Sequence, residues 1–371
     1  MQNQTQIRVP VLNVDGQPIM PTKASRARRW LKDGKAKVVH NDLGVFQIQL
    51  LQEASGTEQQ DIVVGIDQGK LYTGMAVQSS KNTLLMLHLE LPFLVVKKRM
   101  EQRAIMRRNR RGRRLNRTIV FKLRNHRQKR FSNRGKKTFL PPSIKASKQL
   151  EQRVIVEVLK IFPVTNFVFE IVKARGSKGF SPVMVGQTQQ IEWLESLLPT
   201  HTIEGWKTSI LRDKLGLVKN KTNKSIQEPA THAIDGVALA CYHFIKFIED
   251  KVNQCADWFG EVTITKSQFA VVRRPNYSRR QLHLMKFSKG GKRRKYGGSC
   301  TPNTNIRKSD LVLYQSENKS IVGYCSGYTN QTIAISDSNW NRLGKLSKRK
   351  CKLVSRSCGL TSNVHISSKT H

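Results

Sequence analysis

In the N-terminal quarter of the chain the apolar residues fall in short runs broken by glycine, asparagine and aspartate, a strand-and-turn rhythm. Val9 to Asn13 reads as a strand ending in a Val-Asp-Gly turn, and Thr22 to Asp33 as a helix closed by Gly34. Strands at Lys37 to His40 and Val45 to Leu51 complete a small α+β unit. Ile62 to Ile66, Thr73 to Val77 and Thr83 to Leu91 then predict an antiparallel meander. Near Ser147 the period changes: Leu150, Val154, Val158 and Phe162 recur at helical spacing until Pro163. Asn166 to Val172 is a buried strand carrying Glu170. A helix at Gln187 to Leu198 and an amphipathic segment around Ile203 to Leu215 come next. The last core helix opens at Pro229, a residue tolerated in a first turn, and runs to about Ile248 with His232 and Asp235 on one face. Further on, short strands at Asp310 to Tyr314, Ile321 to Cys325, Thr332 to Ile335 and Cys351 to Val354 predict a small β-barrel or sandwich.

The polar positions between these runs are overwhelmingly cationic. Lys and Arg number 66 against 25 Asp and Glu, a formal net charge of +41 over 371 residues. Such an imbalance concentrates polyanions at the surface and makes binding salt-dependent, so the expected partner is nucleic acid. The first helix carries the five cations Lys23, Arg26, Arg28, Arg29 and Lys32, more than its single acid, Asp33, can pair. Arginines crowd from Arg99 to Arg117, where Arg103, Arg107, Arg110, Arg114 and Arg117 share one helical face about 20 Å long, with Arg111 beside it. A third basic stretch, Arg273 to Ser299, includes Arg273, Arg274, Arg293 and Arg294 and interleaves Tyr277, Phe287 and Tyr296, aromatics suited equally to base stacking or to a core. No run of 18 apolar residues and no signal-peptide core is present, which predicts a cytoplasmic, nucleoid-associated protein without a membrane partner. The cysteines show no paired Cys-x-x-Cys spacing, so free thiols are expected rather than a zinc ribbon or disulfide scaffold.

Within so much positive charge the isolated acids become informative. Asp67 ends an apolar run, Glu170 sits in the predicted buried strand, and Asp235 lies on the last core helix one turn after His232. Phosphodiester hydrolysis by two divalent ions needs several carboxylates, because Mg2+ takes hard oxygen ligands and both attacking and leaving oxygens need stabilisation. Asp67, Glu170 and Asp235 are therefore candidate ligands for two Mg2+ ions, with Mn2+ a plausible substitute, and His232 is a candidate for proton transfer or phosphate positioning. Singly, Asp67 could cap a turn, Glu170 could pair with an arginine, and His232 could be structural. In combination they point to a nuclease. Three strands, then helix, strand and helix, match a ribonuclease H-like α/β order.

The segments VVGIDQG, FVFEIVK and THAIDGVALA resemble the three split motifs of RuvC-type nucleases, with Asp67, Glu170 and the His232/Asp235 pair at the matching positions. The arginine-rich insertion after the first motif resembles the bridge helix of transposon-encoded RNA-guided nucleases and CRISPR effectors. QPIMPTKASRARRWLKDGKAKVV resembles the PLMP domain of IscB and IsrB proteins, with Ile19 where Leu is usual. RRQLHLMKFSKGGKRRKYGG, followed by RKSDLVL, is similar to the target-adjacent-motif-interacting region of that group. IscB carries an HNH domain between its second and third RuvC motifs, but between Glu170 and His232 the only histidine is His201, and that stretch is already committed to core helices. The chain therefore resembles the HNH-less IsrB family.

That resemblance implies a split RuvC core, with a PLMP domain over residues 1–60 and the first RuvC motif over 61–98. It implies a bridge helix and basic linker over 99–145, the second and third motifs over 146–260, and a β-rich C-terminal domain over 261–371. It further implies an omega RNA as guide, double-stranded target DNA with an adjacent motif, a monomeric protein, and nicking of the displaced non-target strand. Delegating sequence reading to base pairing accounts for a large phosphate-binding surface. A guide-independent RuvC-like resolvase and a catalytically silent RNA-guided binding protein remain open alternatives.

Overall fold

The computed structural model describes residues 7–54, 56, 58–112, 116–123, 140–173, 182–250, 255–275, 305–317 and 319–366. At the N-terminus, β1 (Arg8–Leu12), β2 (Pro18–Lys23), β3 (Ala36–Val39) and β4 (Gln47–Leu50) form a sheet ordered β2-β1-β4-β3, on which α1 (Ala24–Lys32) packs. The pattern reading missed β2 because Pro18 and Pro21 argue against a strand; both are tolerated because β2 lies at the sheet edge. Val9, Val11, Ala27 and Ile48 form the small core of this unit.

The central sheet uses β5 (Ile62–Asp67), β6 (Tyr72–Ser79), β7 (Thr83–Glu90), β8 (Asn166–Ile171), β9 (Thr200–Glu204), β12 (Gln268–Arg273) and β18 (Thr361–Ile366), ordered β18-β12-β7-β6-β5-β8-β9. The meander β5-β6-β7 is antiparallel as expected, and β8 joins β5 in parallel. Alternate residues of each strand serve opposite faces. Val64, Ile66, Met75, Val77, Leu85, Leu87, Phe167 and Phe169 meet Leu150, Val154 and Val158 of α3 (Pro142–Leu159) and Leu194 of α4 (Pro182–Glu195). On the other face, Ala76, Met86, Phe269 and Val271 meet Ile234, Val237, Ala238 and Cys241 of α6 (Ile234–Cys241). Burial on both sides explains why these strands read as nearly continuous apolar runs.

Two glycines set how closely α6 approaches. A Cβ on Gly65 of β5 would run into the Gly236 carbonyl, and one on Gly236 would lie 2.7 Å from the Met75 carbonyl carbon. The glycines flanking the acids in VVGID and IDGVA thus let helix and sheet touch backbone to backbone.

Several expectations shift. The predicted last core helix is two pieces: a wide π-helical turn at Pro229–Ala233, then α6, which ends at Cys241 rather than near Ile248. The aromatic and β-branched run after Cys241 suits a strand, and Lys246–Asp250 (β10) pairs with Cys255–Phe259 (β11). The amphipathic segment at Ile203 is the end of β9 followed by α5 (Gly205–Lys214). The arginine helix, α2 (Phe93–Gly112), starts just after Pro92, earlier than expected, and packs against α3. Arg117 lies beyond it in a turn, so it does not extend the helical face.

In the C-terminal region β13 (Leu311–Ser316), β14 (Lys319–Tyr328), β15 (Thr332–Ser336), β16 (Arg342–Ser347) and β17 (Cys351–Ser355) form an antiparallel sheet ordered β16-β15-β14-β13-β17, not a closed barrel. Strands β12 and β18 come from the stretch assigned to the C-terminal domain, yet they belong to the central sheet, so that boundary does not hold as a structural one. Arg273 seals the junction by reaching Glu90 at 3.2 Å and the Asn339 side chain at 3.2 Å. No helix among the described residues is long and apolar enough to cross a membrane.

Candidate active site

Asp67 is the last residue of β5, and Glu170 lies near the end of β8. The parallel register Ile66↔Phe169 brings the two acids to neighbouring strand ends. Asp235 enters from the first turn of α6, over the same face of the sheet. Residues distant in sequence thereby share one electrostatic environment. Burial raises the Asp67 pKa well above the ordinary carboxylate value, Glu170 and Asp235 raise it further, and Lys219 opposes them. Glu170 is raised by its own burial, while Thr208 opposes the rise; the Thr208 hydroxyl faces this carboxylate without full hydrogen-bond geometry. Solvent still reaches Asp67 and Glu170, whereas Asp235 is buried.

Gly205, Thr208, Arg212 and Lys219 escaped the sequence reading. Arg212 donates to Asp235 Oδ1 at 2.7 Å and Lys219 to Asp235 Oδ2, so both oxygens of the buried acid are held by cations. Gly205, Thr208 and Arg212 form the inward stripe of α5, and a Cβ on Gly205 would lie 2.8 Å from Glu170 Oε1. Their 3- and 4-residue spacing was a helical signal, but nothing in the sequence says which acid that stripe meets.

His232 sits in the wide turn before α6. Its Nε2 lies 2.9 Å from the Lys224 carbonyl, which can only accept, so Nε2 carries the proton and Nδ1 the lone pair. Burial lowers its pKa and favours the neutral ring. The ring packs against Tyr72 and His88, with centroids 5.3 and 5.2 Å away. Gly74 of β6 makes room, since a Cβ there would meet the His232 carbonyl. His88 is wholly buried, neither ring nitrogen has a hydrogen-bond partner among the described residues, and burial, then His232, pushes its pKa down to about 4.

Behind the acids, on the opposite face, lies a hydrogen-bonded polar network. Lys148 of α3 donates to Glu151 Oε2 and to Gln68 Oε1, both at 2.8 Å, and Thr73 donates to Glu151 Oε1 at 2.7 Å. Gln68 donates to Gln187 Oε1 at 2.7 Å and to the Glu170 carbonyl at 3.2 Å, while the Val172 amide donates to Gln187 at 2.8 Å. Gln68 follows Asp67 directly, so the network ties the backbone of both acid-bearing strand ends from behind.

The donor set suits a hard divalent cation: three carboxylates, two of them strained by burial and mutual repulsion that a cation would relieve. Among the described residues, no three His, Cys, Asp or Glu side chains already form a cage, and Asp235 is drawn toward Arg212 and Lys219 instead.

Of the expected nucleic-acid contacts, Lys23, Arg26, Arg28 and Arg29 are exposed at or on α1, with Arg26 5.9 Å over the Trp30 ring. Arg103 and Arg107 lie half-buried on α2. Arg110 and Arg111 belong to the same helix, while Arg114, Arg293 and Arg294 lie outside the described residues. Arg273 is committed to Glu90 and Asn339, which removes it from an open phosphate surface. Arg274 follows it and reaches solvent, with partial burial lowering its pKa. Cys241, Cys325, Cys351 and Cys358 are free thiols.

A family model described as RRXRR protein matches residues 9–187. The match takes in the N-terminal unit, Asp67, α2 and Glu170, and ends before α5, His232 and Asp235. No curated protein matches the chain. Among solved structures, the chain is similar to T. thermophilus RuvC in complex with Holliday junction substrate, at 14% identity and a TM-score of 0.28. That likeness covers 50% of this chain and 92% of the other, and bears on no individual residue.

Proposed function

We propose that the protein is an omega-RNA-guided DNA endonuclease of the IsrB type, which nicks the displaced non-target strand at a single RuvC-type site. The observation that carries this reading is the convergence of Asp67, Glu170 and Asp235 on one sheet face, each acid close enough to Asp67 to raise its pKa, in a chain of net charge +41. The sheet supports it: β7-β6-β5-β8-β9, with β6 antiparallel to its neighbours, is the ribonuclease H-like order. The RRXRR match, a family associated with IscB and omega-type proteins, supports the RNA-guided part.

Asp67, Glu170 and Asp235 would hold two divalent ions, Mg2+ with Mn2+ as substitute, which when bound supply Lewis-acid polarisation of the phosphodiester. His232, whose Nε2 is engaged by the Lys224 carbonyl and whose lowered pKa favours the neutral ring, would accept a proton from the attacking water at Nδ1. Arg212 and Lys219 hold Asp235 and would also offset charge on a phosphate bound there. The exposed cations of α1, and Arg103 and Arg107 of α2, would bind guide RNA and heteroduplex phosphates.

The test is to sequence the RNA that copurifies with the protein, then to program a plasmid-nicking assay with that guide. Guide-dependent single-strand nicking is expected. Cleavage of branched DNA without any bound RNA would replace this reading with a resolvase. Guided binding without a nick would make the protein a silent targeting factor.

A further inference from the structure

One large aromatic side chain beside the acids is left unused by this reading. Trp206 is 56% exposed and follows Gly205, the residue whose α-carbon abuts the Glu170 carboxylate. An indole costs free energy when left in water, and nothing in the fold of α5 requires one there. The inward stripe Gly205, Thr208 and Arg212 serves the acids, while Trp206 and Ile210, four residues on and 47% exposed, share the outward side.

The ring is nevertheless held in place. Its Nε1–H donates to Glu204 Oε2 at 2.8 Å, and Glu204 is itself fixed by Lys173 at 2.5 Å. The Lys207 ammonium lies 5.4 Å from the ring centre. A plate whose orientation is fixed in advance loses little entropy on binding a flat partner, and a neighbouring ammonium meets a phosphate on the same nucleotide.

We propose that Trp206 is a stacking platform for one unpaired nucleobase of the DNA strand that enters the acid site, with Lys207 taking that nucleotide's phosphate. This rests on the nuclease reading above and deepens it: the site selects single-stranded DNA, because a base inside a duplex has no free face to offer. A sequence-tolerant contact is expected, since every base presents a π face.

The activity-free test is tryptophan fluorescence of the full-length protein titrated with a short single-stranded oligonucleotide in EDTA, where no strand is cut. The wild type should be quenched by single-stranded DNA and much less by a blunt duplex of the same sequence. Trp206→Phe should lose most of that quench with its far-UV circular dichroism unchanged. No quench in the wild type, an equal quench by duplex, or a quench retained in full by Trp206→Phe would each overturn the proposal.

The kinetic counterpart is a cycle between protein and substrate. Trp206→Ala should raise KM for the single strand by about 5- to 150-fold with a smaller change in kcat, and Trp206→Phe should restore part of the loss. An abasic nucleotide at one position near the cut should impose the same loss on the wild type and add nothing to Trp206→Ala. Additive losses at every position would also overturn it. If the wild type cuts no strand, the nuclease reading fails, and the quenching result still decides whether Trp206 stacks on a base.

Discussion

The two faces of the central sheet handle buried charge in opposite ways. On the α3 and α4 side, Lys148 and Glu151 are 3% and 0% exposed, and the atoms they share with Thr73, Gln68 and Gln187 are matched donor to acceptor. On the α5 and α6 side, Asp67 and Glu170 repel each other, and the His88 ring is buried without a partner for either nitrogen among the described residues. A like-charged cluster would splay apart on a pliable scaffold. Here the satisfied face holds the unsatisfied one, because Gln68 and Gln187 bond the very backbone that carries Asp67 and Glu170. The proposed chemistry sits on the face whose charges are left unbalanced, and the matched hydrogen bonds lie on the other.

The sharpest way to test that division is to remove acids from the active face. Asp67→Ala, Glu170→Ala or Asp235→Ala should each lower Mg2+-dependent nicking by about a thousandfold or more, with RNA binding retained in a filter-binding assay. Full nicking by Asp67→Ala in Mg2+ would sink the site. On the satisfied face the damage should fall on stability instead. Glu151→Ala strands a buried lysine and should cost about 3–5 kcal/mol in urea unfolding, while Lys148→Met combined with Glu151→Leu should cost far less. Equal costs would mean the pair is not an isolated buried couple.

The His88 ring gives a pH signature. Its pKa is lowered from 6.5 to about 4 in the folded state, so the unfolded chain binds the extra proton first. The stability contribution is complete above about pH 6.5 and is lost as pH falls toward 4, by about 3 kcal/mol in all. His88→Phe should flatten that limb of the stability curve; an unchanged limb would exclude His88 as its source. Asp67 acts with the opposite sign, because its raised pKa makes ionisation at neutral pH unfavourable for the fold. Asp67→Asn should therefore raise the metal-free Tm by about 2–4 °C while abolishing nicking, and a lowered Tm would contradict the repulsion.

Much of the core was legible in advance because its signals are local. The meander, α3 and β8 carry strong hydrophobic periodicity; the strand bounds lie close to those expected, while α3 starts earlier, at Pro142, and ends at Leu159 rather than Phe162. The last core helix was overextended because residues after Cys241 are apolar whether helical or extended, and pairing with β11 decides which. Strands β12 and β18 could not be assigned to the central sheet from their own residues: β12 pairs with β7, far earlier in the chain, and β18 is aligned by β12.

The sequence by itself determined the charge of the protein, its strand and helix grammar, and the candidacy of Asp67, Glu170, His232 and Asp235, since each is a matter of composition or short-range pattern. Only the tertiary structure decided that Arg212 and Lys219 hold Asp235, that His88 packs on His232, that Lys148 and Glu151 brace the acids from behind, and that Arg273 is consumed at an internal junction. Those are contacts between side chains far apart in the chain, and no local pattern encodes which cation a buried carboxylate will meet once the sheet has closed around it.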